Sequence, residues 1–293
     1  MTVFHFDVQD KIDAPYRRLS DQYFSYSLKP ENYFFNDEVE VISIFIHSRI
    51  SPDILKFFPR LKKIICRSVG TDHVDREFCV HNGIEICSIP GYGPHVIATH
   101  AVWLFLMGAR KLLDSVLITR SGSFSYDIPW IIDLAWKTVG VIWTGRIGQQ
   151  IISMLLPLGV KILAHDLFPQ AELEEKMSFR YASFGDILQK SDFIILACNA
   201  SEENKNMINS TTISLMKQWI WLVNIARGSL IDEDALIENQ NKFSFVALDV
   251  VKNESLEWIS KISHLDNFFI TPHVAFLSDV TVKTIWETTY NFI

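Results

Sequence analysis

The stretch KTVGVIWTGRIG, which runs from Lys137 to Gly148, decides the fold predicted for this chain. Within it, Val139 to Ile142 is a short apolar run rich in β-branched residues and predicts a strand buried on both faces. Residues Gln149 to Leu158 carry apolar groups at helical spacing, and Val160 to Ala164 predict a second strand. Asp166 follows that strand, 18 residues after the last glycine of the turn. The stretch therefore predicts one βαβ unit.

The turn between the first strand and the helix has the composition of a phosphate-binding turn. A helix N-terminus offers unpaired N–H groups and a partial positive charge, and glycines let a pyrophosphate approach them closely. Asp166 is placed to accept hydrogen bonds from an adenosine ribose, and its charge would repel a 2′-phosphate, which favours NAD over NADP. The predicted cofactor-binding residues here are Thr144, Gly145, Arg146, Ile147, Gly148 and Asp166.

One position departs from the GxGxxG fingerprint, because Trp143 stands where its first glycine falls. That glycine serves the tight turn leaving the strand, so a large indole must either point away from a bound dinucleotide or crowd it. The alternative is a βαβ unit that binds no nucleotide.

Composition and charge narrow the class of protein. A chain of 293 residues, 48% hydrophobic and 21% charged, is long enough for two domains with substantial cores. The net charge of −7 argues against a nucleic-acid or anionic-membrane partner. There is no run of 18 apolar residues and no basic region followed by an apolar segment at the N-terminus, so we expect a cytoplasmic protein. The four cysteines lack metal-ligand spacing, which predicts reduced core residues and no metal site.

The rest of the chain alternates strand and helix signals, which predicts an α/β fold with doubly wound parallel sheets. Pro90 to Pro94 is the clearest linker, and Val96 to Leu113 is predicted to be one helix. Ser278 to Ile293 is predicted to be a final helix that could return to the first domain. The predicted strands are Val3–Val8, Val39–Ile46, Leu61–Cys66 and Ile84–Ile89, then strands near 139–143, 160–165, 192–197, 220–225, 244–249 and 267–271. Short helices are predicted after Ser51, as an N-cap, and over Asp75 to Asn82, closed by Gly83.

Three polar residues stand after strands of the second half, namely Arg227, Glu254 and His273. Ligands of such sheets bind outside the carboxyl ends of the strands. An arginine can hold a carboxylate in a bidentate fork, and a histidine paired with a carboxylate is suited to acid–base work near neutral pH. Together they predict a site for a small α-oxo or α-hydroxy acid. Taken singly, each could be an ordinary loop, surface or helix-capping residue.

From about residue 40 to its end, the chain resembles the D-isomer-specific 2-hydroxyacid dehydrogenases, with a D-lactate-dehydrogenase-like HVAF segment at 273–276. The resemblance implies a flavodoxin-like α/β substrate domain of residues 1–94 and 277–293, and a Rossmann-type dinucleotide-binding domain of residues 95–276. The motifs that carry it are RSVGTDHVD (67–75), PGYG (90–93), the βαβ unit, NIARG (224–228), LDV (248–250) with Glu254, and TPH (271–273).

By this resemblance, the protein is an NAD-dependent enzyme that interconverts a small 2-oxo acid and a D-2-hydroxy acid. Arg227 would bind the substrate carboxylate, His273 would be the general acid, and Glu254 would pair with His273 and hold its pKa up. Asp249 would face the nicotinamide amide. The remaining implied site residues are Ala226 for the cofactor and Ser68, Val69, Gly70, Tyr92 and Phe276 for the substrate.

The resemblance also implies a homodimer, formed through the helix near Val96 to Leu113. Trp136, Trp143 and Trp219 fall where the family usually has glycine, which puts cofactor binding in question. The alternative function is a non-catalytic dinucleotide-sensing or protein-interaction module on the same fold.

Overall fold

Two parallel β-sheets, each with its own helices, organise the chain in this computed structural model, which describes residues 2–29, 35–128 and 131–293. The first unit comprises Met1–Gly93 with Leu277–Ile293, and the second comprises Pro94–Phe276. The second unit is therefore inserted into the sequence of the first.

The first unit contains five strands and the last helix of the chain. Its sheet has the order β2-β1-β3-β4-β5 with every pair parallel, which is the flavodoxin-like order 2-1-3-4-5. In chain order its elements are β1 (Thr2–His5), α1 (Asp10–Asp13), β2 (Gln22–Tyr23), β3 (Val39–Ile44), α2 (Pro52–Leu55), β4 (Lys63–Cys66), α3 (Arg76–His81) and β5 (Glu85–Ser88).

The second unit contains a seven-stranded sheet in the order β12-β11-β10-β9-β6-β7-β8, again with every pair parallel. Its elements are α4 (Pro94–Ala109), α5 (Leu112–Arg120), β6 (Thr138–Ile142), α6 (Arg146–Leu155), β7 (Lys161–His165), α7 (Ala171–Met177), β8 (Arg180–Tyr181), α8 (Phe184–Lys190), β9 (Phe193–Leu196), α9 (Ser210–Leu215), β10 (Ile220–Asn224), α10 (Glu233–Glu238), β11 (Phe243–Leu248), α11 (Leu256–Ser263) and β12 (Phe268–Ile270). The last helix, α12 (Asp279–Phe292), belongs to the first unit.

Counted from β6, the strand order of the second sheet is 3-2-1-4-5-6-7, the doubly wound Rossmann order extended by one strand. The order reverses between β6 and β9, and such a switch point is where open α/β sheets bind dinucleotides. The predicted α/β class with a doubly wound sheet and a smaller flavodoxin-like sheet is confirmed.

Alternate residues of the central strands of the second unit enter two separate apolar cores, one on each face of the sheet. Val139 and Val141 of β6 belong to one core with Ile151 of α6, whereas Ile142 belongs to the other with Ile187 of α8. Gly140 lies between them where α8 packs closest, since a Cβ there would meet the Ile187 side chain at 2.5 Å. Burial on both faces explains why these strands are continuous apolar runs.

Helix α12 packs against the rest of the first unit through a cluster of aromatic and polar contacts. Ser278 and Thr281 form a capping box at its start, as its S-x-x-T spacing favours. Trp286 is buried, donates from Nε1 to the Asp13 carboxylate at 2.8 Å, and lies under the Arg67 guanidinium at 4.8 Å. The predicted final helix is confirmed, and its contacts tie the end of the chain to its beginning.

The sequence prediction was wrong at several boundaries. The helix predicted over Val96 to Leu113 is two helices, because Lys111 adopts a left-handed conformation with φ 48° between α4 and α5. The first strand ends at His5, since Asp7 turns the chain with φ 56°. Ser51 occupies the N-cap position of α2, but its side chain makes no capping hydrogen bond. The two-residue edge strands β2 and β8 were not predicted.

Within the described residues, no helix has the length and apolar character needed to span a membrane. All four cysteines are buried and none is disulfide-bonded.

Candidate active site

The turn after β6 leaves open space in front of the α6 N-terminus. Gly145 is the N-cap residue of α6, and a Cβ built on it would have no atom of the described residues within 4 Å, apart from its two chain neighbours. Gly148 is enclosed, because a Cβ there would lie 2.0 Å from the Trp143 carbonyl oxygen. Packing therefore requires a glycine at position 148, whereas no described residue occupies the space in front of Gly145. Open space over unpaired helix N–H groups suits a pyrophosphate.

Asp166, just after β7, is bonded to this turn. Its Oδ2 accepts from the Thr144 backbone N–H at 2.7 Å and from the Thr144 hydroxyl at 2.9 Å, while Oδ1 accepts from the Phe168 N–H at 3.0 Å. Burial alone would raise the pKa of Asp166, but these hydrogen bonds outweigh it and hold the pKa below its ordinary value. The carboxylate is thus charged at neutral pH, and it positions the turn as well as carrying the charge that would disfavour a 2′-phosphate.

Arg227 follows β10 in a loop whose backbone is fixed by Asn224. The Asn224 amide donates to the Arg227 carbonyl at 2.9 Å, and its oxygen accepts from the Ala226 N–H at 3.0 Å. Gly228 has no room for a side chain, since a Cβ would meet the backbone of residues 251 and 252 at 2.1 to 2.4 Å. The half-buried guanidinium donates from Nη1 to the Ala226 carbonyl at 2.8 Å. The NIARG motif thus builds a rigid platform for one arginine.

His273, which follows β12, lies next to Glu254, which follows β11. The His273 Nδ1 lies 3.4 Å from the Glu254 Oε1, at the long limit of a hydrogen bond. The histidine side chain is more buried than the glutamate side chain. His273 itself has φ 54°, and its N–H donates to the carbonyls of Asp249 and Thr271, each at 2.9 Å. Because Nδ1 faces the carboxylate, Nε2 is the ring atom left to act on a substrate.

Asp249, directly after β11, is a buried carboxylate that accepts hydrogen bonds from several protein groups. Its Oδ1 accepts from the Thr271 hydroxyl at 2.6 Å and the Val274 N–H at 2.9 Å, and Oδ2 accepts from the Ala275 N–H at 2.9 Å. The His100 Nε2 of α4 lies 3.4 Å from Oδ1. Burial by itself would raise the pKa of Asp249, but the hydrogen bonds from His100, Thr271 and the loop N–H groups hold it below its ordinary value.

The Asp249 contacts give this residue a structural task that the sequence did not reveal. Its carboxylate holds the loop that carries His273, and its own N–H donates to the Asn224 carbonyl at 2.9 Å, which joins that loop to the Arg227 platform. A buried acid at a strand end implies partners, but nothing in the sequence identified His100 as one of them. That Asp249 faces the nicotinamide amide stays a prediction.

The predicted site residues divide between the two units. Ser68, Val69 and Gly70 follow β4 in the first unit, where the Ser68 hydroxyl donates to the Gly70 carbonyl at 2.7 Å and Val69 is exposed. Tyr92 is half-buried in the same unit, whereas Phe276 is the last residue of the second. Among the described residues there is no cluster of three or more potential metal ligands.

Comparison with known proteins adds the family. Residues 102–275 match the model of the D-isomer specific 2-hydroxyacid dehydrogenase NAD-binding domain. The 2-hydroxyacid dehydrogenase homolog of Haemophilus influenzae is 30% identical over 289 residues, covering 93% of this chain and 87% of that protein. The chain belongs to the D-isomer-specific 2-hydroxyacid dehydrogenase family. Its cofactor is NAD, in keeping with the matched domain and with the open turn before α6.

Two further relatives have named substrates. The structure of the Aquifex aeolicus D-lactate dehydrogenase complexed with NAD and lactic acid superposes with a TM-score of 0.88 at 32% identity, covering 99% of this chain and 94% of that one. The glyoxylate reductase of Pyrococcus furiosus is 30% identical over 246 residues, which is 81% of this chain and 73% of that protein. Both names refer to small 2-hydroxy or 2-oxo acids.

The two glycines of the cofactor turn should respond differently to the same substitution. Gly145→Ala places a methyl group in open space, so we expect unfolding free energy within about 0.5 kcal/mol of the parent and NADH binding weakened about tenfold. Gly148→Ala forces its methyl group against the Trp143 carbonyl, so we expect a loss of about 1 to 3 kcal/mol in stability. Urea unfolding and NADH titration of both variants measure this. Equal stability losses would contradict the assignment.

The Asp249 carboxylate should matter more than any one of its partners. Asp249→Asn replaces an acceptor with a donor facing N–H groups, and we expect a loss of about 2 to 3 kcal/mol of unfolding free energy. Thr271→Val removes one donor and should cost about 1 kcal/mol. Because the folded pKa of Asp249 is depressed, its contribution is full above the unfolded value and is lost as pH falls through the folded value. Urea unfolding at pH 7 tests the difference; equal losses would count against it.

Proposed function

We propose that this protein is an NAD-dependent D-2-hydroxyacid dehydrogenase that reduces a small 2-oxo acid and catalyses the reverse reaction. The observation that carries the proposal is the His273–Glu254 pair, at 3.4 Å, with His273 on a loop that the buried Asp249 joins to the Arg227 platform. Arg227, Glu254 and His273 thus follow the ends of β10, β11 and β12 respectively, three neighbouring strands of one parallel sheet. This is the set that reduction of a 2-oxo acid requires.

Each side chain has a separate task in the proposed reaction. Arg227 binds the substrate carboxylate through its planar guanidinium and polarises the adjacent carbonyl. His273 donates a proton from Nε2 to the carbonyl oxygen, while Glu254 at Nδ1 orients the ring. When bound, NADH supplies the hydride that adds to the carbonyl carbon. In the reverse direction, Nε2 accepts the hydroxyl proton.

The cofactor and substrate assignments extend these roles. We propose that the turn from Thr144 to Gly148 and Asp166 hold the dinucleotide, with Ala226 and Asp249 near its nicotinamide end. For the substrate, we assign Ser68, Val69 and Gly70 to the carboxylate and Tyr92 and Phe276 to the surroundings of its side chain. The exposed side chain of Val69 is compatible with ligand contact.

The proposal includes a cytoplasmic homodimer. Helix α5 exposes Leu112, Leu113, Val116 and Leu117, an apolar stripe with helical spacing that a second copy would cover. We expect light scattering to give twice the chain mass of 33.8 kDa. Leu117→Glu should shift the mass toward that of one chain. A monomer for the unchanged protein would refute the dimer while leaving the enzymatic proposal intact.

The decisive experiment measures NADH oxidation with pyruvate, glyoxylate and larger 2-oxo acids. An aromatic Phe276 beside the substrate favours pyruvate, or a slightly larger acid, over glyoxylate. His273→Ala should lower kcat by roughly 10²- to 10⁴-fold with NADH affinity unchanged, because only proton donation is lost. His264→Ala, an exposed histidine at the end of α11, is the matched control and should leave both unchanged.

The outcomes separate the two functions considered. Turnover unaffected by His273→Ala would remove that residue from the reaction. Saturable NADH binding without turnover of any 2-oxo acid would favour the non-catalytic dinucleotide-sensing alternative. Absence of NADH binding would implicate Trp143 as its cause, and the Trp143→Gly variant is therefore measured in parallel.

A further inference from the structure

Tryptophan is over-represented among the left-handed residues of this chain. In the described part, eight residues other than glycine have positive φ, and three of them are tryptophans. The chain has eight tryptophans among 293 residues. Positive φ is uncommon outside glycine, asparagine and aspartate, and it is an outlier for a bulky side chain. The three are Trp136 with φ 68°, Trp143 with φ 84° and Trp219 with φ 66°.

Packing of the indole rings does not account for two of these conformations, those of Trp136 and Trp219. Trp136 is 78% exposed and Trp219 is 66% exposed, so neither ring is anchored in a core. Trp221 and Trp286 differ from these two in exposure, ring contacts and backbone. Both are 1% exposed, contact other aromatic rings and are absent from the positive-φ set. Two of the three left-handed tryptophans thus have exposed rings, whereas the half-buried Trp143 packs against one apolar core of the second unit.

All three left-handed tryptophans border strands of the second unit. Trp136 lies two residues before β6, Trp143 follows β6 directly, and Trp219 directly precedes β10. Backbone groups alone close two of these turns: the Trp136 N–H donates to the Gly159 carbonyl at 2.9 Å, and the Trp143 N–H to the His165 carbonyl at 2.6 Å. Glycine adopts such turns without steric cost. The positions have the geometry of glycine.

Glycine is also scarce in the chain as a whole. It supplies 12 of 293 residues, about 4%, against an average near 7%. Three independent substitutions of glycine by the largest side chain, each in a strained turn, would be needed if these residues arose separately. A single change in codon reading accounts for all three. UGA is a stop codon in the standard code, but some variant codes read it as tryptophan and others as glycine. A gene with UGA at the three positions therefore gives tryptophan under one reading and glycine under the other.

We propose that the cell that makes this protein inserts glycine at positions 136, 143 and 219 by reading UGA as glycine. Tryptophan at the core positions 221 and 286 is then encoded by UGG. With glycine at 143, the turn after β6 has the complete GxGxxG pattern. The proposal stands on backbone geometry and does not depend on the enzymatic function.

The codons of the gene give the first test. We expect UGA at 136, 143 and 219, and UGG at 221 and 286. UGG at the three turn positions, or UGA at either core position, would overturn the proposal.

Peptide mass spectrometry of the protein purified from its own cells gives the second test. Peptides covering the three turns should have the masses calculated with glycine, whereas the peptide containing Trp286 should retain tryptophan. Tryptophan in the turn peptides would refute glycine insertion whatever the codons are. Neither result depends on catalysis, so failure here is distinct from failure of the proposed dehydrogenase activity.

A recombinant comparison tests the physical cause. The combined Trp136→Gly, Trp143→Gly and Trp219→Gly variant relieves three strained turns, and we expect its Tm to exceed that of the tryptophan chain by roughly 5 to 10 °C. Trp221→Gly, the matched control in the core, should lower Tm because it leaves a cavity. A triple variant less stable than the tryptophan chain would contradict the geometric argument.

Discussion

The buried carboxylate of Asp249 is the constraint on which the reactive edge of the second unit depends. A charge removed from water must be compensated, and here the compensation comes from the Thr271 hydroxyl, the Val274 and Ala275 N–H groups and His100. Those donors all lie in or beside the loop after β12. The hydrogen bonds that compensate this one carboxylate therefore fix the course of the loop that contains His273, the proposed catalytic histidine.

This arrangement explains how a histidine can be kept in a left-handed conformation. A non-glycine residue at φ 54° costs about 1 to 2 kcal/mol, and such strain persists only where surrounding contacts determine the backbone. The His273 N–H bonds to the Asp249 and Thr271 carbonyls provide those contacts. The imidazole is consequently aimed by backbone geometry, with Glu254 at Nδ1 fixing its rotation about the side chain. The orientation of this side chain is thus set by hydrogen bonds at the edge of a parallel sheet.

Much of the architecture was predictable because both faces of each central strand are buried, which produces apolar runs separated by turn residues. The order of Arg227, Glu254 and His273 along the chain was equally accessible, since each follows a recognisable strand. Local signals failed where long-range contacts decide the structure. The break at Lys111 has no proline to mark it, and the nearest glycine, Gly108, lies inside α4. The two-residue edge strands lack any periodicity. The contact between His100 and Asp249 joins residues 149 positions apart, which no spacing rule anticipates.

The course of the chain through its two units has a consequence for biosynthesis. The second unit is a continuous segment, whereas the first is complete only when α12 has been made and Trp286 has reached Asp13. Domains generally fold as units while the chain is still being synthesised, so the inserted unit can acquire its core first. The N-terminal strands must wait, with part of their apolar surface uncovered, until α12 has left the ribosome. Loss of α12 would therefore harm the unit whose N-terminal segment is translated earliest.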